Sequence, residues 1–342
     1  MSRRHLYILN PRSFPLPGAL ERMKADIADY FKMRDADGLP KEEYEIQIST
    51  YPREAIVLIR DYVAKIDSAD TLRVYACGGD GIAFDCVNGM VGLPNVELAL
   101  VPYGSSNDFV RNFTINGEIG ASVTTVFRNL KLQAEADLIA TDVVKCSNQQ
   151  STIYSLCDCL FGVEAAAAYN IASLQKKSAA LPSFLRKFGK NLMYTYGGLQ
   201  AVFDHSVIHE KYKIIADGED ISGAYATINI SNIPCYGGDK NPVITACPTD
   251  GCLDMLTTKG MSPWQLLPVF TGYLSGKFCK NTKIFTLRRV KKIEIKPESP
   301  QLMVNLDGEA FFDLQSTVEV LPGAINITCP GGAVYRRWEP VK

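Results

Sequence analysis

The stretch from Leu72 to Met90 reads LRVYACGGDGIAFDCVNGM, and its reading decides the fold. Leu72 to Cys77 is a β-prone apolar run, Gly78-Gly79-Asp80-Gly81 is a turn, and Ile82 to Met90 is helix-forming. Glycines around one acid let the backbone bend sharply and approach a ligand closely. The helix start behind them offers unpaired N–H groups and a partial positive charge to an anion. A bare carboxylate repels phosphate, so Asp80 suits such a turn if the phosphate arrives with Mg²⁺ or if Asp80 handles a proton. An ordinary strand-to-helix turn with an aspartate N-cap has the same local sequence. No G-x-x-x-x-G-K-[ST] run occurs, which excludes a Walker-type P-loop, and no spaced G-x-G-x-x-G fingerprint for a dinucleotide occurs either.

Outward from this turn, the first third of the chain alternates strand and helix. His5–Leu9 is β-like, and Gly18–Phe31 carries helical spacing at Leu20, Met23, Ile27 and Phe31. Tyr44–Ile48 alternates, Glu54–Val63 is helical, and Glu97–Val101 is a further strand closed by Pro102-Tyr103-Gly104. Such alternation predicts a parallel sheet with helices on its faces, whose ligands lie beyond the carboxyl ends of the strands. Asn10, Thr50, Gly78–Gly81 and Gly104–Asp108 all follow strand ends, so they converge on one edge. From about Ala136 the pattern changes to alternating segments separated by Gly, Pro, Asn and Asp: Thr141–Cys146, Tyr154–Leu160, Lys211–Ile215, Ala224–Ile230, Lys283–Leu287, Lys292–Ile295 and Thr317–Leu321. This predicts an antiparallel β domain, interrupted by helical stretches at Val163–Phe203 and Pro263–Tyr273.

Bulk properties bound the function. A chain of 342 residues is long enough for two domains. A net charge of −1 gives no electrostatic case for nucleic acid. No apolar run is long enough to span a bilayer, and MSRRHLYILNPRSF reads as a first strand, not a signal peptide. The ten cysteines contain no C-x-x-C, so reduced, buried thiols of a cytoplasmic protein are expected. Only His5, His205 and His209 are histidines, and none is near the glycine turns in sequence, which argues against a Ser-His-Asp hydrolase or a histidine-rich metal site.

Four further segments carry chemistry. Pro102-Tyr103-Gly104-Ser105-Ser106-Asn107-Asp108-Phe109 is a second glycine turn whose Ser105 and Ser106 suit phosphate or ribose, while Asn107 and Asp108 also suit a helix cap. Asp307-Gly308-Glu309 sets two carboxylates around a glycine; neighbouring like charges raise one pKa, as a general base requires, and a plain β-turn has the same sequence. Asp250-Gly251-Cys252-Leu253-Asp254 reads as a hairpin turn or an oxygen-ligand metal site. Ser173–Lys190 interleaves Lys176, Lys177, Arg186, Lys187 and Lys190 with large apolar residues, suiting an anionic membrane surface or a solvated helix face.

Taken in order, these pieces resemble the diacylglycerol kinase catalytic-domain family, which also covers sphingoid and other lipid kinases. The family's N-P-x-S-G is similar to Asn10-Pro11-Arg12-Ser13-Phe14, and its G-G-D-G-T-x-x-E-V-V-N-G to Gly78 through Gly89. Its P-x-G-T-x-N-D-F resembles Pro102–Phe109; its G-G-G, P-x-A and D-G-x-L-D pieces resemble Gly237-Gly238-Asp239, Pro242 and Asp250–Asp254; its D-G-E is Asp307-Gly308-Glu309. The resemblance implies an α/β plus all-β protein: an NAD-kinase-like nucleotide domain over residues 1–134, to which 322–342 return, and a C-terminal antiparallel β-sandwich over 135–321. It implies an ATP- and Mg²⁺-dependent kinase acting on a hydroxyl of diacylglycerol or a related lipid, cytoplasmic and peripheral to a membrane, with a homodimer left open. A sphingoid-base kinase, an NAD kinase and a catalytically silent lipid-binding protein are the alternatives.

By the same resemblance, nucleotide would be bound by Asn10, Pro11, Arg12, Ser13, Phe14, Thr50, Gly78, Gly79, Gly81, Asp85, Gly104, Ser105, Asn107 and Asp108. Asp307 would be the base, with Glu309 beside it, and Asp80 would orient metal or phosphate. Asp250, with the carbonyls of Cys247 and Cys252, would match the family's structural Mg²⁺ site. This chain departs from the pattern at Phe14 for glycine, Ile82 for threonine and Asp85 for glutamate. Lost polar contacts of that kind cost about 0.5–1.5 kcal/mol each, which weakens nucleotide binding without abolishing chemistry.

Overall fold

The computed structural model describes residues 2–178, 196–237, 240–274, 276 and 280–336. The chain divides into two compact units. The first holds the residues up to Val143, then Tyr236 and Gly237, and the described residues from Pro322 to Arg336; the second holds Val144–Cys235 and the described residues from 240 to Leu321. The boundary therefore falls after Val143, later than the expected residue 134, because the strand Asp137–Ser147 runs through it without a break.

In the first unit, β1 (Arg3–Leu9), β2 (Glu43–Ile48), β3 (Thr71–Gly78) and β4 (Val96–Pro102) form a parallel sheet in the order β2-β1-β3-β4. The strand Ser316–Cys329 returns to it, pairing in parallel with β4 through Asn326 and Ile327. Central strands of such a sheet are covered on both faces, which is why β3 and β4 are mostly apolar and buried along nearly their whole length. Helix α1 (Ala19–Ala36) supplies Met23, Ile27, Tyr30 and Phe31 to one cover, against Tyr7, Leu9, Tyr75 and Val101. Burying a side chain such as Ile27 fully contributes about 1.5–3 kcal/mol. Helices α2 (Glu54–Val63) and α3 (Asp80–Met90) pack together, and they approach so closely that a methyl on Gly89 would stand 3.1 Å from the Ile56 Cα.

Polar groups fix the far edge of this sheet. Arg73 is fully buried; it donates to Glu97 at 2.7 Å and to the carbonyls of Gln133 and Ala134. Gln133 in turn donates to the Leu100 carbonyl and accepts from Thr328 on the returning strand. Breaking a buried pair such as Arg73–Glu97 by removing one partner costs about 3–5 kcal/mol, so this cluster is part of the core.

The second unit is an antiparallel β-sandwich-like domain. One run of neighbouring strands is Glu309–Asp313, Leu302–Leu306, Asp158–Gly162, Gly223–Ser231, Leu253–Lys259 and Phe285–Val290. Another joins Lys211–Ala216, Lys292–Pro297 and the start of Ser316–Cys329, with the hairpin Asp137–Ser147/Thr152–Ser155 beside it. The segment expected as one strand, Tyr154–Leu160, is two, broken at Leu156 and Cys157. Helices cover Val163–Ser178 and Pro263–Leu274. Of the basic segment that suits a membrane surface or a solvated helix face, residues 179–190 and the side chains of Lys176 and Lys177 lie outside the described structure. No helix among the described residues is long and apolar enough to cross a membrane.

Candidate active site

In the first unit, the ends of β1, β3 and β4 bring the predicted turns together. Tyr103 N–H donates to the Gly78 carbonyl at 2.7 Å, so the two glycine turns start from one hydrogen bond. Beyond it the backbones touch: a methyl on Gly104 would lie 2.4 Å from the Gly79 Cα, and one on Gly78 would lie 3.1 Å from the Ser13 Oγ. No side chain fits between these segments. Glycine at 78, 79 and 104 is required by close approach rather than by a left-handed φ.

Asp80 opens α3 and braces the second turn. Its carboxylate accepts from the Asn107 N–H at 2.9 Å and the Asp108 N–H at 2.6 Å. Asn107, at a φ of +52°, closes the same turn through both ends of its amide, accepting from Gly104 N–H and donating to the Gly104 carbonyl. The Asp108 carboxylate accepts from Gly237 N–H at 2.7 Å. Asn10 caps a short 3₁₀ turn over Pro11–Ser13, accepting from Arg12 N–H at 3.0 Å. Asn10, Ser13, Gly78, Gly79, Gly104, Asn107 and Asp108 therefore form one constellation of turns around the β3–α3 junction.

Three of the predicted nucleotide residues are engaged elsewhere. The Phe14 side chain turns into the core, 8% exposed and 4.7 Å from the Tyr103 ring; bulk at a glycine position is accommodated by burying it. Asp85 is held by Arg53, whose N–H and guanidinium donate at 2.8 and 2.6 Å, while Arg53 sits at a φ of +70° and over the Phe84 ring. Thr50 gives its N–H and hydroxyl to Glu54 in the first turn of α2. Ile82 is buried, and its Cγ2 would lie 2.6 Å from a methyl on Gly78.

In the second unit, Asp307-Gly308 is the two-residue loop of a hairpin between Leu302–Leu306 and Glu309–Asp313, with φ values of +47° and +87°. Both residues left-handed is the type I′ pattern, which favours Asp-Gly. Its carboxylate is clasped. Oδ1 accepts from the Ser155 hydroxyl at 2.5 Å, Cys157 N–H at 3.0 Å and Asp158 N–H at 3.1 Å, and Oδ2 accepts from Leu156 N–H at 3.0 Å. A carboxylate has about four acceptor sites, so Oδ1 is saturated and the remaining capacity is on Oδ2. Burial pushes the Asp307 carboxyl above the usual carboxylate range, against the pull of the Ser155 hydroxyl and the three amides. Glu309, next to it, is exposed. The strand break at Leu156–Cys157 is what frees those amides. Sequence reasoning missed Ser155 and the three amide donors; the Ser155 hydroxyl also accepts from Cys157 and Asp158 N–H, a serine turn that S-x-x-D spacing signals only weakly.

At the expected metal site, Asp250 faces a side-chain cation. The cation against Asp250 is the Arg289 guanidinium, 2.5 Å from Oδ2, while Oδ1 accepts from Cys252 N–H, and the Cys247 thiol lies 3.4 Å from the Thr249 hydroxyl. Among the described residues no cluster of three or more His, Cys, Asp or Glu is arranged to hold a metal ion. Asp250 is thus paired with Arg289, and Asp254 lies 3.6 Å from the same guanidinium.

Comparison with known proteins agrees with this architecture. Residues 8–140 match the diacylglycerol kinase catalytic domain, and residues 172–329 match the YegS C-terminal NAD kinase beta sandwich-like domain. "Putative lipid kinase SH2167" of Staphylococcus haemolyticus is 26% identical over 261 residues, covering 76% of this chain and 77% of that protein. "Putative lipid kinase SAR0780" of Staphylococcus aureus is 25% identical over 287 residues, covering 82% and 85%. A crystal structure described as that of "a putative diacylglycerol kinase" from Bacillus anthracis superposes with a TM-score of 0.66 at 20% identity, over 95% of this chain and 96% of that one. With its two domains matched in order, and with the turns of the catalytic domain built as described, the chain belongs to the diacylglycerol kinase catalytic-domain family.

Proposed function

We propose that this kinase transfers the γ-phosphoryl of ATP to a hydroxyl of diacylglycerol or a related lipid. The observation that carries the reading is the contact of Gly79 with Gly104, a close backbone approach that Asp80 locks through the Asn107 and Asp108 amides. Turns fixed in this way keep backbone N–H groups at the start of α3 available to phosphate, which the helix N-terminus favours. Asp80 acts here as a positioning residue for the loop. Mg²⁺ enters with its substrate, as MgATP, and supplies charge neutralisation of the phosphates.

Asp307 is the base of this reading. Phosphoryl transfer asks the protein mainly for positioning and electrostatic stabilisation, and a positioned base takes the acceptor's hydroxyl proton. The clasp around Oδ1 fixes the carboxylate, the remaining acceptor site on Oδ2 takes the proton, and burial raises its basicity. Labelled ATP offered with mixed micelles of diacylglycerol, with a sphingoid base, or with NAD tests the reading. Label is expected in a phospholipid; label in NADP, or in no acceptor, would overturn it.

A further inference from the structure

The sandwich unit carries an open cavity of about 520 Å³ over the strands Lys211–Ala216, Lys292–Pro297 and the start of Ser316–Cys329. Its lining mixes apolar Ile215 and Ile295 with polar side chains, and it carries two lysines, Lys213 and Lys296, against one acid, Glu294. Lys213 and Lys296 are register partners on adjacent antiparallel strands. Directly opposed like charges destabilise a sheet, so this pairing costs the fold something.

The neighbouring lysines do not share the problem. Lys145 is paired with Glu319 at 2.6 Å, Lys292 with Glu294 at 2.8 Å, and Lys211 with Glu298 at 3.7 Å. Lys213 and Lys296 have no carboxylate within ion-pair distance among the described residues. The field of Lys213 reaches Asp220, whose pKa is lowered chiefly by its bonds to Ser222. Glu294, the acid in the cavity, is already committed to Lys292. Lys213 and Lys296, both exposed, therefore stand opposite each other in register at a cavity whose lining also carries Ser147, Asn148, Ser316 and Thr317.

We infer that this cavity is a second ligand site, which binds a phosphate-bearing anion, either free phosphate or the headgroup of an anionic phospholipid, through Lys213 and Lys296. Each ammonium offers three donors and a full charge, and hydrogen bonds to an ionised acceptor are roughly twice as strong as neutral ones. An anion between the lysines also removes their mutual repulsion. The site is separate from the residues assigned to phosphoryl transfer, and its test reads binding, so it stands or falls apart from the kinase reading.

The test titrates the full chain with inorganic phosphate at constant ionic strength, and in parallel pellets it with phosphatidylcholine vesicles with and without phosphatidylglycerol. Because the glycine turns also accept phosphate, the readout is the difference between the parent and the double variant Lys213→Gln, Lys296→Gln. Loss of both charges is expected to weaken phosphate binding at this site by about tenfold or more, while Lys213→Arg, Lys296→Arg keeps it within about threefold. Without phosphate, the Gln variant should melt at or above the parent temperature, since a like-charge pair is gone. If pelleting with phosphatidylglycerol falls together with phosphate binding, the ligand is the headgroup; if phosphate binding alone falls, it is free phosphate. A Gln variant that binds phosphate and vesicles as the parent does overturns the proposal, and so does one that melts below the parent.

Discussion

Asp80 and Asp307 use the same device in the two units: a carboxylate accepts backbone amides from a distant loop. Asp80 takes one amide on each oxygen, from Asn107 and Asp108, and its unit gains a pair of glycine turns held in contact. Asp307 takes three donors on Oδ1 and one on Oδ2, so its carboxylate is both fixed and unevenly loaded. An amide on each oxygen makes a brace. Uneven loading leaves a fixed acid with one oxygen able to accept a proton. The two sites are chemically alike in sequence, each an aspartate beside glycine, and their partners give them different work.

The contrast can be broken by exchanging oxygens for groups that cannot accept. Asp307→Asn should lower turnover by about 10²–10⁴-fold, the usual contribution of a positioned base, with a modest fall in melting temperature as the Leu156 amide loses its acceptor. Turnover near the parent rate would make Asp307 a turn residue only. Gly104→Ala acts on the other turn. Its methyl meets the Gly79 Cα at 2.4 Å and the Asn107 Oδ1 at 2.9 Å, so the turns must part. Such overpacking costs about 1–3 kcal/mol of stability. ATP affinity should fall about tenfold or more, because each amide bond to a charged group is worth about 1.5–3 kcal/mol. Unchanged ATP affinity would remove the nucleotide from this junction.

Ser155→Ala sharpens the comparison through pH. The hydroxyl lowers the Asp307 pKa, so its loss should move the acidic limb of kcat/KM to higher pH. The stability sign follows. The folded value lies above the ordinary aspartate value of 3.8, so Asp307's contribution is complete below pH 3.8 and is lost as pH rises through the folded value. Ser155→Ala should enlarge that loss at neutral pH, seen as a steeper fall of melting temperature between acid and neutral buffers. An acidic limb that stays in place would mean that Asp307 does not titrate in the reaction. Smallest is Thr50→Val, which removes a bond to Glu54 worth about 0.5–1.5 kcal/mol and should leave ATP affinity within about twofold. A larger loss of affinity would put the Thr50 hydroxyl on the nucleotide.

The parallel sheet and its glycine turns were legible in the sequence because their causes are local: mostly apolar, β-prone runs at Leu72–Cys77 and Glu97–Val101, then glycines where backbones touch. The rest depends on residues far apart in the chain. Nothing near Asp85 announces Arg53, and nothing near Asp250 announces Arg289, yet those partners decide what each carboxylate does. Phe14 marks a departure at a glycine position, but only the packed Tyr103 ring shows that its side chain points into the core. Pro322-Gly323 reads as a strand end. The strand instead continues to Cys329, with Gly323 at a φ of +56° and its N–H given to Asp142 at 2.8 Å; a return of the chain to the first domain is what the family resemblance implies, not what these residues announce. Tyr154–Leu160 alternates like a single strand, and its break is set by the acid that gathers its amides.

The division of labour between the two turns is tested most directly by measuring ATP affinity and phosphoryl transfer together, in Asp307→Asn and in Gly104→Ala, with diacylglycerol in mixed micelles. The expected result is a split: Asp307→Asn binds ATP within about twofold of the parent while transfer falls at least about a hundredfold, and Gly104→Ala loses ATP affinity itself. Equal losses of affinity and transfer in Asp307→Asn, or full transfer in either variant, would contradict it.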